Sequence, residues 1–173
     1  MPVSDSLSPK LLTLASELSG RVGAKLGDES HFRGELTYRV AAEDWTGVLT
    51  VCKSTPELAF DQLDSLVGDH LPERAAAPFE VTAHLVSHTK GWRLRIKTSL
   101  AEGQPLATVT HLWPSAGFDE RETWEMYGIV FMGHPDLRRL LTVPDFEGFP
   151  QRKDFPLQGT VGGRIRTDLR GKI

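Results

Sequence analysis

Two stretches of regular alternation between apolar and polar residues place the strongest limit on how this chain can fold. Every second residue is apolar from Phe79 to Leu85, and the same alternation recurs from Trp92 to Thr98 after a short polar turn. Side chains along a strand point alternately to opposite faces of a sheet, so each stretch predicts a strand with one apolar face. Together they predict a β-hairpin whose apolar face other elements must cover.

Two amphipathic helices N-terminal to the hairpin can supply that cover. Ser8 and Pro9 form a typical helix start, with serine as the N-cap and proline at the first helical position. Apolar residues then recur at spacings of three and four, and Gly27 is a suitable end. A second helix of about ten residues is predicted from Glu43 to just before Pro56, with acidic residues at its start.

The remaining segments are assigned with less support from periodicity. Residues 35–40 and 106–112 are predicted to be strands, and residues 68–72 are predicted to form a loop. The pattern between residues 58 and 67 is ambiguous. A third helix is predicted to follow Ser115, its possible cap, and to end at Gly128. We therefore expect an α+β fold with two layers, in which helices pack on a mixed or mainly antiparallel sheet.

The C-terminal end differs in composition from the rest of the chain. From residue 146 onward the periodicity stops, proline and glycine recur, and six Lys and Arg stand against three acidic residues, although the whole chain carries a net charge of −3. Several Phe and Leu residues remain there, and they are typical anchors for a partner. We predict an α+β domain of residues 1–145 and an extended basic tail of residues 146–173 that a partner orders.

Between residues 119 and 157, charges of both signs lie beside Trp, Tyr and Phe, a composition typical of a protein–protein interface. On the predicted helix, Arg121 and Glu125 are spaced as an i,i+4 ion pair. His134 follows Gly133 and is interpreted as a turn residue that binds the backbone. The predicted partner interface consists of Glu120, Arg121, Glu122, Trp124, Tyr127, His134, Arg138, Arg139, Arg152, Lys153, Asp154 and Phe155.

The single cysteine limits redox and metal chemistry. Cys52 lies on an apolar helical stripe and is predicted to be a buried, unreactive thiol. One thiol excludes an intrachain disulfide and an iron–sulfur cluster held by this chain alone. His84 and His88 lie about 13 Å apart if both are on a strand, which is too far to share one metal ion. We therefore expect no cofactor in this chain.

Other catalytic and binding classes also lack support in the sequence. Glu120, Glu122 and Glu125 could serve as an acid–base group, but Arg121 beside them is expected to keep them ionised. No phosphate-binding loop or nucleophile motif is present. The net negative charge disfavours nucleic acid, no apolar run approaches the ~18–20 residues of a spanning helix, and no signal peptide is evident. We expect the chain to stay in the cytoplasm or on the cytoplasmic side of a membrane.

Four runs of residues resemble a known family signature. They are Glu120-Arg121-Glu122, Glu125-Met126-Tyr127-Gly128, Gly133-His134-Pro135-Asp136-Leu137-Arg138-Arg139 and Arg152-Lys153-Asp154-Phe155-Pro156-Leu157. This pattern is similar to that of the C subunit of NADH–quinone oxidoreductase, respiratory complex I. The chain departs from the family's usual pattern at Glu125, where the family has Asp, at Phe149, where it has His, and at Gln151, where Leu is common.

The resemblance implies a cofactor-free subunit of the hydrophilic arm that docks on the D subunit, which helps to form the quinone pocket. Electron transfer from NADH through FMN and iron–sulfur clusters to quinone, coupled to proton translocation, would then occur in partner subunits. The complex would lie at the inner membrane, with this subunit peripheral on the cytoplasmic side. One alternative is the equivalent subunit of a related membrane-bound hydrogenase or other quinone-reducing complex. A hydrolase that uses the glutamate cluster is an alternative from a different class.

Overall fold

The computed structural model describes residues 8–156. In this range a five-stranded sheet and three α-helices form the main body, and two very short strands pair with each other beside it. The elements in chain order are α1 (Pro9–Val22), β1 (Glu29–Phe32), β2 (Glu35–Arg39), α2 (Trp45–Ser54), β3 (Gln62–His70), β4 (Phe79–Ser87), β5 (Trp92–Leu100), β6 (Leu106–Ala107), α3 (Ala116–Tyr127) and β7 (Phe131–Met132). The predicted α+β class is confirmed.

The sheet is mixed, with strand order β1-β2-β5-β4-β3. The predicted hairpin forms as β4 and β5, in antiparallel register from Phe79 opposite Leu100 to Ser87 opposite Trp92. Strand β2 pairs with the other edge of β5 and runs parallel to it. These two strands are neighbours in the sheet, but α2, β3 and β4 lie between them in the chain. The apolar side chains of the hairpin are buried in one core with those of α1 and α2.

Both N-terminal helices form, and their ends show which sequence signals were sufficient. The Ser8 hydroxyl accepts a hydrogen bond from the N–H of Leu11, and Pro9 begins α1, as predicted. The α-helix ends earlier than predicted, at Val22, because Gly23 takes the left-handed side of backbone space with a φ of 59°. Helix α2 ends at Ser54, just before Pro56, as predicted.

Strand β3 corrects the prediction of a loop at residues 68–72. Gly68 and Asp69 are common in turns, but here they continue β3 as far as His70 and pair with β4. A Cβ atom at Gly68 would lie 2.8 Å from Thr123 Cγ2 and 2.9 Å from Tyr127 Cδ2, both on α3. The glycine therefore serves close packing of a helix on a strand and does not form a turn.

Two predictions near α3 need correction. The predicted strand at 106–112 is limited to Leu106–Ala107. Just after it, the buried carboxylate of Glu120 accepts hydrogen bonds from the Thr108 hydroxyl and the Val109 N–H. Ser115 makes no side-chain cap, whereas Gly128 ends α3 with a φ of 82°, as predicted.

Within residues 8–156, no helix has both the length and the apolar character needed to cross a membrane.

Candidate docking surface

Residues 134–142, here called the strap, run along one face of α3 and are attached to it once per helical turn. The attachment points on α3 are Gly117, Arg121 and Glu125, which are spaced four residues apart and so lie on the same face. Each binds a strap residue 17 positions further along the chain, and Arg121 and Glu125 bind further strap residues as well. The strap therefore runs parallel to the helix.

The N-terminal attachment uses His134. Its Nε2 donates to the carbonyl of Gly117 at 3.0 Å, and its Nδ1 accepts from the N–H of Asp136 at 3.0 Å. One ring nitrogen therefore donates and the other accepts, as in a neutral imidazole. This confirms the interpretation of His134 as a turn residue that binds the backbone.

The middle attachment uses Arg121. Its guanidinium donates to the carbonyls of Arg138 and Arg139 at 3.0 Å and 3.1 Å, and it lies 6.0 Å from the centre of the Phe118 ring. The predicted ion pair between Arg121 and Glu125 is wrong, because both side chains bind the strap backbone instead. Those backbone groups would otherwise lack partners, which costs more than an exposed helical ion pair contributes.

The C-terminal attachment uses Glu125, whose side chain has no solvent exposure. Its carboxylate accepts from the N–H groups of Leu140, Leu141 and Thr142 at 2.6, 2.9 and 2.6 Å, and from the Thr142 hydroxyl. Burial alone would raise the pKa of Glu125, but these hydrogen bonds outweigh it and lower the pKa to about 2. A permanent internal anion thus fixes the strap.

Glu120 behaves differently from the prediction that Arg121 keeps it ionised. Its side chain is fully buried, and burial raises its pKa despite the hydrogen bonds from Thr108 and Val109. Arg121 instead donates to two carbonyls of the strap. Glu120 thus positions the segment between β6 and α3 and has no surface to offer a partner.

Two arginines held between aromatic rings fold residues 143–156 back onto the domain. The Arg139 guanidinium lies 5.9 Å from the ring centre of Trp124 and 5.7 Å from that of Phe146. The Arg152 guanidinium lies 4.7 Å from the ring centre of Phe79 and 4.5 Å from that of Phe149. Such stacked cation–π contacts favour Arg over Lys.

Residues 146–156 thus pack on their own domain, and the expectation that a partner orders the tail stays a prediction. Arg152 also donates to the carbonyl of Tyr127 at 2.6 Å, and a Cβ atom at Gly128 would lie 2.7 Å from Phe149 Cζ. These contacts are made within the chain. The proposed boundary between residues 145 and 146 stays a prediction, and residues 157–173 lie outside the described residues.

The twelve residues of the predicted interface fall into three groups. Glu120 is buried, and four residues are exposed: Glu122, Arg138, Lys153 and Asp154. The others are partly buried, and most of them hold the strap or the segment after it: Arg121, Trp124, Tyr127, His134, Arg139, Arg152 and Phe155. Most of the predicted site is thus a framework, and the assignment of these residues to an interface stays a prediction.

Exposed apolar side chains lie on and beside the strap and on α3, a feature that the sequence analysis missed. Leu141, Val143 and Phe118 are 61%, 59% and 63% exposed, and Leu140 and Met132 are exposed nearby in the chain. A usable signal was the apolar run at residues 140–143, which belongs to no predicted helix or strand. Exposed apolar side chains on a fixed backbone are typical of protein-binding surfaces.

The other titratable clusters have structural explanations. Glu80, on the sheet face opposite the helices, forms ion pairs with Arg39, Arg74 and Lys97 at 2.7–2.8 Å. Burial opposes its ionisation, but these partners lower its pKa to about 2. Cys52 is fully buried, which raises its pKa to about 12. Among residues 8–156, no three His, Cys, Asp or Glu side chains are grouped as a metal site would require.

Fold and surface together define a small α+β domain whose C-terminal third is fixed by hydrogen bonds within the chain and carries exposed apolar side chains. Residues 38–161 match the sequence profile of a family described as respiratory-chain NADH dehydrogenase, 30 Kd subunit. The chain belongs to this family, whose bacterial relatives bear the name of the C subunit of NADH-quinone oxidoreductase.

Sequence relatives cover nearly the whole chain. It is 42% identical to the C subunit of NADH-quinone oxidoreductase of Caulobacter vibrioides, over 95% of this chain and 82% of that one. It is 40% identical to the C 1 subunit of Rhizobium meliloti, over 96% of this chain and 81% of that one. The resemblance found in the signature runs is confirmed.

Solved structures agree with the fold. A trypsin-resistant fragment (1-134) of Nqo5 is 30% identical and superposes with a TM-score of 0.62, covering 74% of this chain and 99% of that one. A chain of the archaeal membrane-bound sulfane sulfur reductase superposes with a TM-score of 0.73 at 20% identity, over 84% of this chain and 85% of that one. The second similarity shows a shared fold alone.

Proposed function

We propose that this chain is a scaffold subunit of the hydrophilic arm of proton-translocating NADH–quinone oxidoreductase, and that it docks on the D subunit, which helps to form the quinone pocket. The chain would bind no cofactor and perform no chemical step itself. FMN and the iron–sulfur clusters would lie in partner subunits, and the chain would support electron transfer to quinone by holding the arm together. The location would be peripheral, on the cytoplasmic side of the inner membrane.

The observation that carries this proposal is the attachment of the strap to α3. The charges of Arg121 and Glu125 are compensated inside the chain, so a partner does not need to desolvate them. The strap backbone is fixed before docking, so little conformational entropy is lost on binding. What remains for the partner is the apolar surface of Phe118, Leu141 and Val143.

The alternative function is the equivalent role in another membrane-bound redox complex. The shared fold with the sulfane sulfur reductase chain supports it only at the level of architecture. Identity of about 40% to chains that bear the name of the NADH-quinone oxidoreductase C subunit, over most of both lengths, favours the quinone complex.

Binding between this chain and the D subunit tests the proposal. Leu141→Asp places a charge in the proposed interface, and we expect Kd to rise roughly tenfold to a hundredfold, which corresponds to about 1.4–2.8 kcal/mol. Leu12→Asp is the matched control, because Leu12 is 53% exposed on α1, away from the strap. Equal Kd for wild type and Leu141→Asp, with both variants folded, would refute this docking surface.

A further inference from the structure

His70, at the end of β3, makes a contact that the docking proposal does not use. Its side chain is buried, and its Nδ1 accepts a hydrogen bond from the backbone N–H of Lys153 at 2.9 Å. A ring nitrogen that accepts carries no proton, so this bond requires the neutral imidazole with its proton on Nε2. Residues 149–156, here called the C-terminal leg, are thereby joined to the sheet.

The charges around His70 decide what a second proton on its ring would do. The imidazole stacks on Phe79 with ring centres 5.0 Å apart, and the Arg152 guanidinium lies 4.7 Å from the centre of the same Phe79 ring. Asp154 Oδ1 lies 3.9 Å from Nδ1, but its side chain is 69% exposed. An exposed carboxylate at this distance stabilises an imidazolium only weakly.

The other titratable groups near His70 lie on its own strand, on β4, on α3 and on the leg. Asp69 and Glu80, adjacent to His70 and Phe79 along their strands, line a depression on the opposite face of the sheet. Asp119 and Tyr127 of α3 both pack against β3, where Asp119 accepts a hydrogen bond from the Leu66 N–H, and burial raises the pKa of each. The leg itself contributes Lys153, whose N–H is the donor to His70.

We infer that His70 is a proton-controlled latch for the C-terminal leg. A proton on Nδ1 would set two N–H donors against each other and place a positive charge close to Arg152, so the bond to Lys153 would break. The Lys153 end of the leg is therefore attached when His70 is neutral and detaches as the pH falls, while Arg152 keeps its own bonds to Tyr127 and Phe79. The latch is a property of this chain alone, independent of the proposed docking.

Amide hydrogen exchange of the full chain, followed by NMR at about pH 8 and about pH 5, tests the latch across the histidine range. After correction for the intrinsic pH dependence of exchange, we expect the protection of the Lys153 amide to fall at least tenfold on acidification. The Val40 amide, which donates to the carbonyl of Lys97 in the sheet, is the internal control and should keep its protection.

Two variants separate proton binding from packing. His70→Asn keeps an acceptor near the place of Nδ1 but does not titrate, so the Lys153 amide should stay protected at both pH values. His70→Phe keeps the ring stack but has no acceptor, so protection should be low at both. Unchanged wild-type protection at the lower pH, or an equal loss in His70→Asn, would overturn the latch.

The wild-type chain gives a second readout that does not depend on the folding of any variant. The ring nitrogen signals of His70 and the amide signal of Lys153 should shift together, with one common midpoint, as the pH is lowered. Separate midpoints, or a simultaneous loss of protection at Val40, would mean that acid acts on the leg by another route and would refute the role of His70.

Discussion

Replacing Glu125 by Gln should loosen the strap from α3. The carboxylate accepts three backbone N–H groups and one hydroxyl in a site without solvent exposure. Gln has the same shape, but it offers one acceptor oxygen and turns an NH₂ group towards N–H donors. Buried donors without acceptors are costly, so the substitution removes more than a charge.

The magnitude follows from the pKa of Glu125, which is lowered from 4.5 to about 2. At ~1.36 kcal/mol per pH unit, this preference for the ionised form contributes roughly 3 kcal/mol to the free energy of unfolding at neutral pH. Because the pKa is depressed in the folded state, the contribution is complete above about pH 4.5 and is lost as the pH falls towards 2. We expect Glu125→Gln to cost about 2–3 kcal/mol at pH 7 and to lack this acid dependence.

Urea unfolding and amide exchange at several pH values measure this effect. Glu122→Gln is the matched control, because Glu122 is exposed on the same helix and its substitution should change stability by less than about 0.5 kcal/mol. If the strap opens locally, the loss will appear in the exchange of the Leu140, Leu141 and Thr142 amides. Unchanged urea midpoint and unchanged protection in Glu125→Gln would refute the reasoning.

Further predictions concern the core and the sheet. Gly68→Ala should lower the free energy of unfolding by about 1–3 kcal/mol, because its Cβ would lie 2.8 Å from Thr123 Cγ2. Gly20→Ala should raise the free energy of unfolding by about 0.5–1 kcal/mol, because a Cβ atom there would have no neighbour within 4 Å. Urea midpoints that shift in the same direction for both variants would contradict this contrast. Cys52 should not react with a water-soluble, thiol-specific reagent at neutral pH until the chain unfolds, because the thiol is buried and its pKa is about 12. Rapid labelling of Cys52 in the folded chain would disprove this. Glu80→Gln should cost about 2–4 kcal/mol in urea unfolding, since it leaves three cations without their carboxylate, and a neutral effect would argue against that network.

The elements that the sequence predicted correctly depend on local rules. Alternation with a period of two is sufficient for β4 and β5, because each strand must turn one face to the core. A serine followed by proline is sufficient for the start of α1. Gly68 was misjudged because local turn preference cannot reveal that α3, more than fifty residues later, packs against that strand.

The assignment of an interface to the C-terminal third stays a prediction, whereas the ion pair predicted within it is wrong. Arg121 and Glu125 were paired with each other because helical spacing allows it, while their partners on the strap are visible only in three dimensions. Arg152 and Phe79 are in contact but lie far apart in the sequence. Composition alone therefore could not show that residues 146–156 pack on the domain.

The central claim is that this chain supports the complex by assembly and takes no part in the chemistry. The most direct measurement is NADH–quinone activity normalised to the amount of intact complex on a native gel, for membranes that carry wild type, Leu141→Asp or Leu12→Asp. We predict that Leu141→Asp lowers the amount of intact complex while turnover per complex stays at the wild-type value, and that Leu12→Asp changes neither. Normal amounts of Leu141→Asp complex with turnover at a small fraction of wild type would contradict the scaffold role.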